Sequence, residues 1–292
     1  MPPIALALVL TAALLHALWN IAAKKAGGNH HFALLSVLIT VVLWAPVALW
    51  FSVGEWQRWG VVEWGALTAS ALVHVLYFSV LLTGYRKADL TVVYPVARGS
   101  GPLLASVGAV LVLGETITVL GGIGILAVCG GVFLIAGGPR LFRGGDGDAH
   151  RKALAGVRWG AMTGALIACY TVIDGYAVKV LLIGPVLVDY VGNVLRLPLL
   201  ALPVLRDRDG FTEAARTQWK YALVVALLGP LAYILVLYAV TMAPLSHVAP
   251  AREVSMLFAA LIGGRLLGES DRALRLVGAA FIAMGVIALA TA

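Results

Sequence analysis

Among the ionisable side chains inside the long apolar stretches of this 292-residue chain, nine are candidates for chemistry. A charged side chain near the centre of a bilayer costs about 2.5–3.5 kcal/mol or more, so such groups usually face a cavity or a partner. Arginine can form forked hydrogen bonds with a carboxylate or a phosphate, whereas histidine and aspartate can exchange protons. The nine residues are His16, His74, Arg98, Asp174, Asp189, Arg196, His247, Arg252 and Glu253.

The composition explains why these residues stand out. Hydrophobic residues make up 61% of the chain and charged residues 12%, against about 45–50% and 25% in soluble domains. A helix needs about 20 apolar residues to cross a bilayer, and stretches of that length recur along the sequence. The first stretch begins at Ile4 without the basic start of a secretory signal, so we expect it to be retained. We predict an all-α membrane protein of ten transmembrane helices, surrounded by the lipid bilayer. The predicted spans are 4–23, 32–53, 61–83, 91–113, 118–136, 155–177, 184–204, 219–241, 245–267 and 273–291.

The second half of the sequence matches the first when it is shifted by 154 residues. Each half holds five spans, and because five is odd, the second half enters the membrane from the opposite side. Inverted repeats are typical of secondary transporters, which expose a site near the midplane to each side in turn. We assign 1–142 to the first repeat, 143–152 to a linker loop and 153–292 to the inverted second repeat of one membrane unit. The matches include Leu113 to Glu115 with Leu267 to Glu269, Arg98 with Arg252, His16 with Tyr170, Asn20 with Asp174, Lys25 with Lys179, Gly124 with Gly278 and Gly131 with Gly285.

Two features resemble the EamA-type members of the drug/metabolite transporter superfamily. Trp19 and Asn20 are followed by lysines in the first span, and a proline-containing span ends in Leu-Gly-Glu at matched positions of both halves. The resemblance covers the whole chain. It implies ten helices around a central cavity, and the export or exchange of metabolites, amino acids among them, without naming a substrate.

We predict two polar layers, one from each repeat, on opposite sides of the membrane midplane. Arg98 and Arg252 each lie about seven residues into their spans, or about 10 Å deep at 1.5 Å per residue. We expect Asp174 to form an ion pair with Arg252 and the two layers to close alternately. The alternative is that these groups only bond to one another and hold the helices together. The predicted cavity residues are His16, Trp19, Asn20, His74, Tyr77, Tyr94, Arg98, Tyr170, Asp174, Arg196, His247, Arg252 and Glu253, with Pro95 and Pro250 as hinges.

Deep arginines favour an anionic or zwitterionic substrate over a lipophilic cation. We therefore predict a secondary transporter, an exporter or exchanger of small polar metabolites, with amino acids or related carboxylates favoured. Phosphorylated or phosphonate metabolites and multidrug efflux are the alternatives within transport. An integral-membrane enzyme is the rival of another class, but the sequence contains no HExxH, GxSxG or P-loop motif. No cofactor is expected, and proton coupling stays open, with His16, His74, His247 and Asp174 as the groups that would carry it.

The net charge of +7 is explained by orientation in a membrane rather than by nucleic-acid binding. Sixteen of the 21 lysines and arginines lie in or beside the loops after the odd-numbered spans. The positive-inside rule makes these loops cytoplasmic and puts both termini outside the cell. The family resemblance implies cytoplasmic termini, and we follow the charge bias.

The remaining expectations concern surroundings and partners. We expect a multi-pass protein of the cell membrane, the inner membrane of a bacterium, whose partner is a small-molecule substrate. A monomer is expected because one chain holds both repeats, with a dimer as the alternative. His30 and His31 are expected to be solvated loop residues, so no metal site is predicted.

Overall fold

The computed structural model describes residues 1–27, 29–88, 90–135, 138, 147–205, 207–263 and 272–292. These residues form helices and connecting turns without any strand, which confirms the all-α fold class. Two of the elements are short 3₁₀ helices, Trp56–Arg58 and Arg252–Val254. The α-helices are α1 (Pro3–Lys25), α2 (His30–Ser52), α3 (Val61–Lys87), α4 (Leu90–Leu113), α5 (Val119–Ile135), α6 (Gly147–Lys179), α7 (Pro185–Val204), α8 (Arg208–Thr217), α9 (Trp219–Met242), α10 (Leu245–Ala251), α11 (Ser255–Gly263) and α12 (Arg272–Thr291).

The membrane spans follow the apolar stretches of the sequence. Eight of the described helices are long and apolar enough to cross a bilayer, namely α1 to α4, α6, α7, α9 and α12. The fifth predicted span, α5, is shorter at 17 residues. The ninth is α10 and α11, separated by the 3₁₀ turn Arg252–Val254. Ten uninterrupted spanning helices are therefore not confirmed, since one predicted span is short and another is broken.

Close glycine contacts between α5 and α12 reveal a twofold relation between the repeats. A β-carbon on Gly131 would lie 2.6 Å from the carbonyl oxygen of Gly278, and one on Gly124 would lie 2.9 Å from that of Gly285. Only glycine permits so close an approach of two backbones. Gly131 matches Gly285 and Gly124 matches Gly278 in the repeat alignment. The contact of Gly131 with Gly278 is therefore equivalent to the contact of Gly285 with Gly124. The two repeats therefore pack about a shared axis.

A second glycine ridge brings α6 against α4, which carries Arg98. A β-carbon on Gly160 would lie 2.7 Å from the Cβ of Val96, and one on Gly156 would lie 2.8 Å from that of Val92. The first repeat has Leu6 where the second has Gly160, so α1 offers no such ridge. The two halves therefore differ in how closely their first helices can pack.

The connections differ in two places from the sequence prediction. Helix α6 begins at Gly147, so the last residues of the expected linker are helical. Helix α4 ends at Leu113, and Gly114 follows with a φ of +65°, a conformation that glycine adopts without strain. The matching segment of the second repeat, Leu267 to Glu269, lies outside the described residues.

Candidate functional site

Four aromatic and imidazole rings from three helices meet inside the molecule. His74 of α3 stacks on Tyr170 of α6, with ring centroids 3.8 Å apart and an interplanar angle of 28°. The ring of Tyr77 lies 5.7 Å from Tyr170, and Tyr233 of α9 stands edge-on to His74 at 6.2 Å. The sequence prediction included the first three residues and missed Tyr233, whose only signal was its position in the middle of an apolar span.

The carboxylate of Asp174 joins this cluster. Tyr233 donates a hydrogen bond from its hydroxyl to Oδ2 of Asp174. The residue is 2% exposed, and the Ser70 hydroxyl lies close to the carboxylate, but Oδ1 makes no hydrogen bond of good geometry in the described part of the chain. A buried carboxylate oxygen without a donor is costly. Asp174 can therefore accept a donor from outside the protein.

The ion pair found in the interior is not the one expected. We predicted a pair between Asp174 and Arg252, but no pair of their charged atoms lies within 4.0 Å. Arg98 of α4 instead pairs with Glu253, with Nη2 2.9 Å from Oε2, and its Nη2 also lies 3.2 Å from the hydroxyl of Ser255. The prediction was wrong because the 3₁₀ turn directs the residue next to Arg252 towards α4. This pair connects the first repeat to the second.

Two other deep arginines lack such a partner. Arg252 is 6% exposed, and the Nε atoms of Arg252 and Arg196 have no hydrogen-bond partner in the part of the chain that the structure describes. Among the described residues, neither arginine has a carboxylate oxygen within 4.0 Å. Arg252 interacts electrostatically with His74 and Tyr233, so it belongs to the same region as the ring cluster.

Arg196 of α7 lies on the acidic side of this region. It interacts electrostatically with Asp174 and with Asp189, four residues before Asn193 on the same helix. Asn193 donates from Nδ2 to Oδ2 of Asp189 at 3.0 Å. One arginine thus shares its surroundings with two buried acids.

Helix α1 reaches the same region from the first repeat. The rings of His16 and Trp19 lie edge to face with centroids 4.8 Å apart, and Asn20 donates to the backbone oxygen of His16 at 2.7 Å. His16 interacts electrostatically with both Arg98 and Arg252. The polar groups of α1 therefore face the central arginines, while the Asn20 amide is engaged within its own helix.

Comparison with known proteins fits a fold of two helical repeats with a polar interior. A family model described as the EamA-like transporter family matches residues 3–137 and 154–291, one match for each repeat. The chain belongs to the EamA-like transporter family. Its members are membrane transporters of the drug/metabolite transporter superfamily, which confirms the predicted resemblance and makes this protein a multi-pass membrane transporter.

Solved structures support the same fold. Twenty-seven chains of known structure match. One of them, a crystal structure of a protein, has a TM-score of 0.67 at 15% sequence identity, and the match covers 98% of this chain and 96% of the other. No curated protein matches in sequence.

Four further predicted residues of this transporter are Tyr94, His247, Pro95 and Pro250. Tyr94 is 38% exposed and lies within electrostatic range of Tyr77 and Arg98. His247 is buried in α10, with Nε2 3.0 Å from where a β-carbon on Gly121 would lie, so it faces α5. Pro95 stands within an unbroken α4, whereas Pro250 comes two residues before the 3₁₀ turn.

A second polar cluster joins the two repeats near one end of the helices. The carboxylate of Glu115 accepts a hydrogen bond from Lys179 at 2.8 Å and from the backbone N–H groups of Leu245 at 2.7 Å and Ser246 at 2.9 Å. This acid follows α4 in the sequence and caps α10. Burial would raise the pKa of Glu115, but the hydrogen bonds from Lys179 and the two backbone N–H groups outweigh it and lower that pKa.

Proposed function

We propose that this transporter is an exporter or exchanger of small zwitterionic or anionic metabolites, with amino acids and related carboxylates as the favoured substrates. The observation that carries the proposal is a pair of buried, incompletely satisfied charges in one region. Among the described residues, Arg252 has no carboxylate partner, and Asp174 has one carboxylate oxygen without a donor of good geometry. Asp174 is hydrogen-bonded to Tyr233, and Arg252 lies within electrostatic range of His74 and Tyr233.

A zwitterion satisfies both charges at once. Its carboxylate can accept two hydrogen bonds from the guanidinium of Arg252, and its ammonium group can donate to Oδ1 of Asp174. The two protein groups do not pair directly, so each can take its partner from the substrate. Stacked His74 and Tyr170 offer an apolar surface for the rest of the substrate.

The broken ninth span suggests how substrate binding is linked to a change of conformation. The 3₁₀ turn contains both Arg252 and Glu253, and it follows Pro250. A substrate carboxylate on Arg252 therefore acts on the same turn that holds Glu253 against Arg98. We propose that Pro250 is the hinge at which this segment moves as the repeats alternate.

The other substrate classes fit this region less well. A phosphonate or phosphate dianion would suit two arginines, but Arg196 shares its surroundings with Asp174 and Asp189, which repel such an anion. A lipophilic cation would suit Asp174, but it would leave Arg252 without a partner and add a like charge. An amino acid carries both a negative and a positive group, so it can pair with Arg252 and with Asp174.

The proposal also covers the setting of the protein. We propose that it works without a cofactor, as a monomer in the inner membrane of a bacterium, with both termini outside. The charge bias of the loops supports this orientation.

Counterflow in proteoliposomes tests the proposal. Purified protein is reconstituted with unlabelled substrate inside, and uptake of labelled amino acids, organic acids, phosphonates and lipophilic cations is measured for wild type and Arg252→Gln. Arg58→Gln is the matched control because Arg58 is an exposed arginine of the Trp56–Arg58 turn. We expect amino acids to move, Arg252→Gln to abolish that movement, and the control to behave as wild type. Movement of lipophilic cations alone, or full activity of Arg252→Gln, would contradict the substrate class.

A further inference from the structure

Two histidines and an aspartate from separate connections meet at one end of the molecule, away from the central region. His30 and His31 begin α2, and Asp207 precedes α8. One nitrogen of each histidine and one carboxylate oxygen of Asp207 all lie within 4.8 Å of one another. The rings of the two histidines are 4.0 Å apart. The expectation that both histidines are solvated loop residues was therefore wrong for His31, which is 5% exposed.

The buried imidazole of His31 has no hydrogen bond at its Nε2 atom in the described structure. Its Nε2 lies 3.2 Å from Oδ2 of Asp207, yet the two atoms do not meet hydrogen-bond geometry, and Nε2 has no other partner in the described structure. Two ligand atoms bound to one tetrahedral zinc ion, at bond lengths of about 2.0–2.1 Å, lie about 3.3 Å apart. The separation of these two atoms is the one that a shared metal ion requires.

The local backbone fixes the carboxylate in this position. Oδ1 of Asp207 accepts a hydrogen bond from the N–H of Gly210 at 3.1 Å, which leaves Oδ2 directed at His31. A β-carbon on Gly210 would lie 2.7 Å from Oδ2 and 2.8 Å from Cε1 of His31. Glycine at this position lets the two ligands approach, and the N-cap bond orients the carboxylate as an outer hydrogen bond does in metal sites.

We propose that His30, His31 and Asp207 form a binding site for a divalent transition-metal ion, of which Zn²⁺ is the best match. Two imidazoles and one carboxylate are ligands that zinc accepts, and a water molecule completes a tetrahedral set. Arg86 lies within electrostatic range of His30, so the site binds its ion more weakly than a closed structural zinc site.

The bound ion would hold α2 to α8. Helix α2 follows the first span and α8 follows the seventh. Because both spans are odd-numbered, the loops after them lie on the same side of the membrane. The ion would therefore join the two repeats at a point distant from the substrate region. The inference does not depend on which substrate is carried.

Equilibrium binding of Co²⁺ tests the site in the full-length protein, purified in detergent with a tag that contains no histidine. The visible absorption of bound Co²⁺ reports tetrahedral coordination, and competition with Zn²⁺ gives the relative affinity. Asp207→Asn removes the anionic ligand but keeps a residue that caps helices well. Asp209→Asn, two residues later and also exposed, changes the charge equally without touching the cluster. His31→Ala removes the central ligand.

We expect one saturable Co²⁺ ion per wild-type and Asp209→Asn chain, and an affinity at least about 100-fold lower in Asp207→Asn and His31→Ala. Zn²⁺ should displace Co²⁺ and raise the unfolding temperature of wild type and Asp209→Asn only. Absence of saturable binding to folded wild type, or equal binding by Asp207→Asn, would overturn the proposal. Because Asp207→Asn leaves the core unchanged, misfolding of His31→Ala would not affect this decision.

Discussion

Replacing Arg252 by glutamine should weaken the binding of substrates that carry a carboxylate. A hydrogen bond to a charged group is worth about 1.5–3 kcal/mol, which corresponds to about a 10- to 150-fold change in affinity. We therefore expect Arg252→Gln to weaken binding of an amino acid by that factor and to leave its decarboxylated amine unaffected. Asp174→Asn should show the reverse preference: it should weaken binding of the amine and leave binding of the deaminated acid unchanged.

Substrate-induced shifts in thermal unfolding and counterflow in proteoliposomes measure both effects for the three related ligands. The unfolding temperature without ligand separates a binding role from a structural one. Arg252 is 6% exposed and has no carboxylate within 4.0 Å in the described residues, so its removal should keep or raise that temperature. Equal losses for amino acid and amine, or a large fall in the unfolding temperature, would refute the assignment of Arg252 to the substrate carboxylate.

Three further experiments test the contacts between the repeats. Gly131→Ala should lower the free energy of unfolding by about 1–3 kcal/mol, because the new methyl would lie 2.6 Å from a backbone oxygen of α12, whereas Gly130→Ala, with nothing within 4 Å, should not. Glu115→Gln should lower the unfolding temperature at pH 7, and its difference from wild type should disappear as the pH falls through the depressed pKa of Glu115. Arg98→Gln and Glu253→Gln should each destabilise the protein, and the double variant should lose less than their sum, with a coupling of about 0.5–3 kcal/mol.

Each of these three tests has a result that would contradict it. Equal stability of the two glycine variants would mean that α5 and α12 can separate without cost. If the difference in stability between wild type and Glu115→Gln grew in acid, the pKa of Glu115 would be raised rather than lowered. A group with a lowered pKa stabilises the fold only at a pH above that pKa. Additive losses in the double variant would mean that the ion pair at 2.9 Å contributes no coupling energy.

The spans and the repeat could be predicted because both depend on features that are local in sequence. An apolar stretch such as His30–Ser52 is long enough to cross a bilayer whatever it packs against. The glycine matches depend only on spacing, and the structure gives them a reason in the α5 and α12 contact. The break at Arg252–Val254 was not predicted, since Pro250 indicated a hinge but not the 3₁₀ turn after it.

The members of the central region were easier to predict than their partners. A deep polar residue is visible in the sequence, but its partner depends on how helices rotate and pack. Asp174 was expected to bind Arg252 and instead accepts a hydrogen bond from Tyr233, which the sequence did not single out. Glu115 stands just before α5 in the sequence, yet it caps α10, 130 residues away.

The two repeats are not equivalent, and this difference favours a substrate as the partner of Arg252. Arg98 and Arg252 are matched in sequence, but the match of Glu253 is Gly99, and the match of Asp174 is Asn20. Exchange of the conformations of the two repeats would therefore give Arg252 no carboxylate equivalent to the one that Glu253 gives Arg98. A guanidinium that the fold buries but leaves unpaired retains a cost of desolvation that a bound anion offsets. The asymmetry of the charges thus makes Arg98 part of the connection between the repeats and favours our proposal that Arg252 binds the substrate.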